Sequence, residues 1–101
     1  MSRESSIFAV LRSRGPAWND ALPMRAQAGW DDHAAFMDGL TARGFIRLGG
    51  PVAEGREFLL IVEAKDEAAV RAAFGADPWE PAGLLVTSSI RSWTVLLDST
   101  R

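Results

Sequence analysis

The chain holds a single histidine, His33, in the stretch GWDDHAAFMDGL, and much later an aspartate, Asp77, that precedes a proline in DPW. Histidine is the one side chain whose unperturbed proton affinity lies near neutrality, so a lone inward-facing copy is a candidate general acid/base. A carboxylate that reaches an imidazole fixes its tautomer and stabilises the protonated ring. A helix N-terminus opposes that protonation by about 0.3–1 kcal/mol, whereas a charge-assisted hydrogen bond contributes about 1.5–3 kcal/mol, so the aspartate prevails if the two side chains touch. The competing readings are a helix-start histidine that bonds an ordinary neighbour and an aspartate that merely shapes a turn. Trp79, in the same Pro-flanked loop, can wall a pocket or plug the edge of a core. Gly49, Gly50 and Pro51 can let a ligand approach the backbone, or simply make a tight turn. Trp18, Trp30 and Trp93 read as packing residues.

Positioning such a pair requires a scaffold, and the chain's patterning supplies one. Ser6–Leu11 is short, apolar and partly β-branched, and reads as a strand. Arg12–Gly29, with Gly15, Pro16, Asn19 and Pro23, reads as a long loop of the kind often tied to function. Asp31 or Asp32 is expected to cap a helix running to about Arg43, with Gly44 just beyond it. Phe36, Met37 and Leu40 form its apolar face, and His33 lies on or beside that stripe, one turn in. Phe45–Leu48 reads as a second strand closed by Gly49-Gly50-Pro51. Gly55 marks a turn, and Arg56–Ala64 reads as a third strand. Asp66 is expected to cap a second helix with Val70, Ala73 and Phe74 inward and Gly75 at its end. Asp77–Gly83 follows as a loop, because a residue before proline is driven to extended backbone. Leu84–Leu97 is a last extended segment, broken near Ser88 and Ser89. The order β-α-β-β-α-β predicts an α+β, ferredoxin-like domain: an antiparallel sheet with both helices on one face.

Two helices cover one sheet face only. The other face should turn polar if it met water, yet Leu59 and Ile61 oppose Phe58, Leu60 and Val62, and Ile7, Ala9 and Leu11 oppose Phe8 and Val10. The last segment sets Trp93, Val95 and Leu97 against Ile90 and Leu96. Apolar patches of this kind mark interfaces, so the expected partner is a second copy of the chain, sheet against sheet. The alternative cover is the long loop folded over this face.

The remaining chemistry is bounded by inventory. The 101 residues fit one domain, 48% hydrophobic and 24% charged, with a formal net charge of -2. No basic patch of the sort nucleic acid requires is present, since the arginines are scattered. The absence of cysteine excludes disulfides and thiolate chemistry and suits a reducing cytoplasm. The opening MSRESSIFAV lacks a signal-peptide core, and the longest apolar run, Phe58 to Val62, is far too short to span a bilayer. One histidine without cysteine makes a zinc site a poor fit, and neither GxxxxGK[ST] nor GxGxxG occurs. The third strand, REFLLIVEA, lacks the stacking aromatics of an RNA-recognition strand.

FAVLRSRGPAW, GWDDHAAFMDGLTARGFIRLGGPV, FLLIVEAKDEAAVRAAFGADPW and RSWTVLL together resemble the YCII-related (YciI-like) family over nearly the whole chain. The resemblance implies a dimeric α+β barrel of ferredoxin-like subunits and an active-site pair that falls here on His33 and Asp77. Related barrels include muconolactone isomerase-like enzymes, and one branch is associated with dehydrochlorination. The insert carrying Trp18 and Pro23, and Trp79 after the Asp-Pro pair, set this chain apart within it. The expectation is a cytoplasmic, cofactor-independent lyase or isomerase acting on a small aromatic or unsaturated molecule. His33 and Asp77 would do the proton chemistry, and Trp79, Gly49, Gly50 and Pro51 would line the pocket. The alternatives are a non-catalytic metabolite-binding module and a dimerisation module.

Overall fold

In the computed structural model of the chain, which describes residues 5–99, the opening apolar alternation becomes β1, Ser6–Arg14. The strand is three residues longer than the Ser6–Leu11 expected, because Arg12, Ser13 and Arg14 pair with neighbouring strands. A charged residue sits in this central strand because the fold neutralises it internally, as described below. β2 is Ile46–Val52, β3 is Glu57–Ala64 and β4 is Leu85–Ser92. They form one sheet in the order β2-β3-β1-β4, antiparallel throughout. With helices α1, Trp30–Ala42, and α2, Glu67–Gly75, this is a small α+β domain compatible with a ferredoxin-like arrangement.

The boundaries differ from expectation in three further places. Gly49, Gly50 and Pro51 do not close β2 but lie within it, opposite Leu60, Leu59 and Phe58. β2 is an edge strand, where a proline without an N–H costs no ladder bond on its free side. Neither Asp31 nor Asp32 caps α1. The N-cap is Gly29, left-handed at φ 75, whose carbonyl accepts the His33 N–H at 3.1 Å. The glycine lies against the Trp79 indole, where a Cβ would sit 3.4 Å from Nε1, and the two aspartates fall in the first turn, at the positive end of the helix dipole. β4 ends at Ser92. The Trp93 N–H still bonds the Ile7 carbonyl, but residues 93–98 then leave the sheet with Leu96 and Leu97 85% and 93% exposed. The Asp66 cap of α2 is as expected, its carboxylate accepting the Ala69 N–H at 2.8 Å.

Strand parity sorts the core. Phe8 and Val10 of β1 and Leu60, Val62 and Ala64 of β3 form one buried cluster with Leu40 of α1, Ile46 of β2, and Val70 and Phe74 of α2. A second cluster joins Trp18, Trp79, Leu84 and Leu85 at the loop end of the same face. The long segment after β1 therefore folds over the helix-bearing side, with Trp18 against Phe58 and Trp79. The buried Gln27 amide staples it by bonding the Asn19 and Leu22 carbonyls. Gly15 lets this segment press on the turn before β4, where any Cβ would overlap the Gly83 carbonyl oxygen. The opposite sheet face keeps Ile7, Ala9, Leu11, Leu59 and Ile61 half-buried and Leu48 70% exposed. No helix among the described residues is long and apolar enough to cross a membrane.

Candidate active site

Residues four apart on a helix share a face, so α1 presents His33, Met37 and Thr41 in one row. The helix meets the sheet chiefly at β2. Between that row, β2, β3 and the loops lies a cavity of about 310 Å³. Its walls are mostly apolar and aromatic: Met24, Trp30, Met37, Phe58, Leu60 and Trp79. Gly49, Gly50 and Pro51 line it from the edge strand, and Arg12 and His33 bring polar atoms to it.

His33 is 6% exposed. Its Nδ1 lies 3.0 Å from Oδ1 and 2.9 Å from Oδ2 of Asp77. A carboxylate only accepts, so Nδ1 carries the hydrogen and donates to both oxygens. Nε2 has no hydrogen-bond partner among the described residues, and it is not sealed in packing. The imidazole lies flat on the Trp79 indole, with centroids 3.9 Å apart and planes 7° from parallel, and Trp30 leans against it at 5.7 Å. The ring thus has two fixed sides, a fixed donor and one open nitrogen.

Asp77 is fully buried and accepts from three directions. Besides His33, the Trp79 N–H donates to Oδ1 at 2.9 Å and Arg12 Nη1 donates to Oδ2 at 2.8 Å. Burial alone would push this carboxyl up. The His33 hydrogen bond, the Trp79 N–H, the Arg12 guanidinium and the charge of His33 together outweigh it and hold the group below its ordinary 3.8. The turn that aims Asp77 follows from Pro78, which stops α2 and places Asp77 and Trp79 two positions apart with both side chains inward. Trp79 is pinned in turn by donating its indole N–H to the Ala28 carbonyl at 2.7 Å, just before α1 begins.

Sequence reasoning missed Arg12 and Glu80. Arg12 is fully buried in β1, with Nη1 on Asp77, Nη2 on Glu80 Oε2 at 2.6 Å, and its guanidinium 4.9 Å from the Phe74 ring centre. One signal was legible. Phe8, Val10 and Arg12 share a parity, so Arg12 had to point into the helix-covered side, where an arginine needs acids. Of the expected site residues, His33, Trp79, Gly49, Gly50 and Pro51 line the cavity, and Asp77 stands directly behind His33. Among the described residues no group of three or more metal-ligating side chains is arranged to hold an ion.

Such a site can take a proton from, or give one to, a small apolar molecule at Nε2. Compared with family models, curated proteins and solved structures, the chain matches none.

Proposed function

We propose that the chain is a small cofactor-independent enzyme of lyase or isomerase type, acting on a small aromatic or unsaturated molecule held in the cavity under α1. The observation that carries the reading is a histidine locked through Nδ1 to a buried, ionised aspartate, with Nε2 partnerless among the described residues and beside a mostly apolar cavity. His33 Nε2 would take a proton from a carbon made acidic by a neighbouring carbonyl or double bond. It would then return that proton at a different carbon, or keep it while a leaving group departs. Asp77 orients the ring and stabilises its charge. Trp79, Gly49, Gly50 and Pro51 shape the space. The resemblance to YCII-related proteins supports the same pair.

The test works before any natural substrate is identified. Enolisable lactones and unsaturated or aromatic carbonyl compounds are titrated against tryptophan emission, and the ligands found are incubated with the protein in D2O. Deuterium should appear at one carbon of a bound ligand at least a hundredfold faster than in buffer. Saturable binding with neither exchange nor product would make the domain a metabolite-binding module instead.

The apolar second sheet face supports assembly of two copies into an α+β barrel, each domain a ferredoxin-like half. The long loop is occupied on the other side, so it does not cover Ile7, Leu11, Leu59 or Ile61. Burying each Leu- or Ile-sized side chain contributes about 1.5–3 kcal/mol before association costs. The substitution Ile61→Glu is expected to convert a sedimenting dimer to monomer while leaving the circular dichroism unchanged. A wild-type chain that sediments as monomer at all concentrations would refute this assembly.

A further inference from the structure

We propose that Arg12 and Glu80 are positioning residues that set the tautomer of His33. The inference rests on His33 being the reactive group of the cavity. A lone aspartate orients an imidazole poorly, since its terminal torsion is broad and roughly two-fold. Here the carboxylate is over-determined by donors from three parts of the fold: α1 through His33, β1 through Arg12, and its own turn through the Trp79 N–H. Arg12 is the most constrained of these. It is fully buried, packs over Phe74, and divides its two terminal nitrogens between Asp77 and Glu80, while its Nε finds no partner.

Glu80 gives this arrangement its direction. Were Asp77 the sole acid, a buried guanidinium and an imidazole would compete for one carboxylate, and the permanent cation would draw it away. The second carboxylate, from Glu80 one turn along the same loop, engages the far side of Arg12 and relieves that competition. Two carboxylates against one guanidinium leave a single negative charge at the cluster, and the proton that His33 accepts brings it to neutrality. Arginine suits the role, because its planar fork holds the two carboxylates on separate nitrogens in fixed directions, whereas a lysine ammonium presents its donors from a single atom. The result is a ring held as the Nδ1–H form, with the Nε2 lone pair open to the cavity. A free imidazole favours the opposite tautomer.

Because His33 is the only histidine, nitrogen-15 NMR of uniformly labelled protein reads its tautomer without assignment ambiguity. At pH 9 the wild-type ring is expected to show Nδ1 protonated and Nε2 bare. In E80Q the Nε2–H form should rise to at least one part in ten, with the amide fingerprint of the fold retained, since Glu80 is partly exposed. R12K, which replaces the fixed fork by a single donor atom, should shift the same way. An E80Q ring as fully in the Nδ1–H form as wild type would overturn the proposal, whether or not R12K folds. The outcome is separable from that of the proton-exchange experiment. A tautomer shift without exchange chemistry keeps the positioning role and removes the enzyme, whereas exchange chemistry with an unmoved tautomer does the reverse.

Discussion

Replacing His33 by alanine is expected to lower the rate of proton exchange, and of turnover on any substrate it reveals, by about 10²–10⁴-fold. The size follows from what the ring supplies: one proton acceptor, positioned in advance by a bond to Asp77 and a stack on Trp79. No other described side chain lining the cavity can replace it, because Arg12 and Arg47 are permanent cations and Thr41 already donates to the Met37 carbonyl. The fold should survive. Without the imidazole, Asp77 still accepts from Arg12 and from the Trp79 N–H, so no buried charge is stranded. Rate constants for wild type and variant, measured on the ligand that exchanges fastest and read beside matching circular dichroism spectra, decide the matter. A variant that keeps the wild-type rate ends the acid–base reading.

Changing Asp77 to alanine should damage the structure more than the chemistry alone would suggest. Removing one partner from a buried ion pair costs about 3–5 kcal/mol, and the lower figure applies here because Arg12 keeps Glu80. For a domain of this size, about 3 kcal/mol corresponds to a fall in melting temperature of about 12–24 °C. Asp77→Asn keeps the volume and a hydrogen-bonding oxygen, so its loss should be smaller, about 1–3 kcal/mol. The pH dependence separates charge from shape. The folded carboxyl is held below 3.8, so its contribution is fully present above that value and is lost as the pH falls through the lowered one. Wild type should therefore lose stability on acidification below about pH 4, and Asp77→Asn should show a flatter curve over that interval. Urea unfolding at a series of pH values measures this, and parallel curves for the two proteins would show that the Asp77 charge contributes nothing.

Local signals in the chain reveal some of this architecture and hide the rest for definite reasons. Asp77 announces itself because a proline follows it, and His33 because aspartates and an apolar stripe frame it. Their meeting follows from two elements that any β-α-β-β-α-β reading places near each other. Glycines and a proline argue against strand, so Gly49, Gly50 and Pro51 read as a stop, although an edge position tolerates all three. The α1 cap is misread because aspartates are strong caps in isolation, whereas here the left-handed backbone of the cap position, φ 75, favours a glycine. Arg12 is the instructive case. Nothing near it is acidic, and its partners lie 65 and 68 positions away, so its role exists only once β1 and the loop after α2 are packed together.

Three of the four tryptophans gather at one place. Trp18 and Trp30 stand 5.7 Å and 5.8 Å from Trp79, with Trp79 also stacked on His33. Indoles this close share excitation energy, so a change beside any one of them alters the emission of all three. A ligand that enters beneath the first helix is therefore expected to change the ultraviolet emission of this cluster, with no dye or label attached.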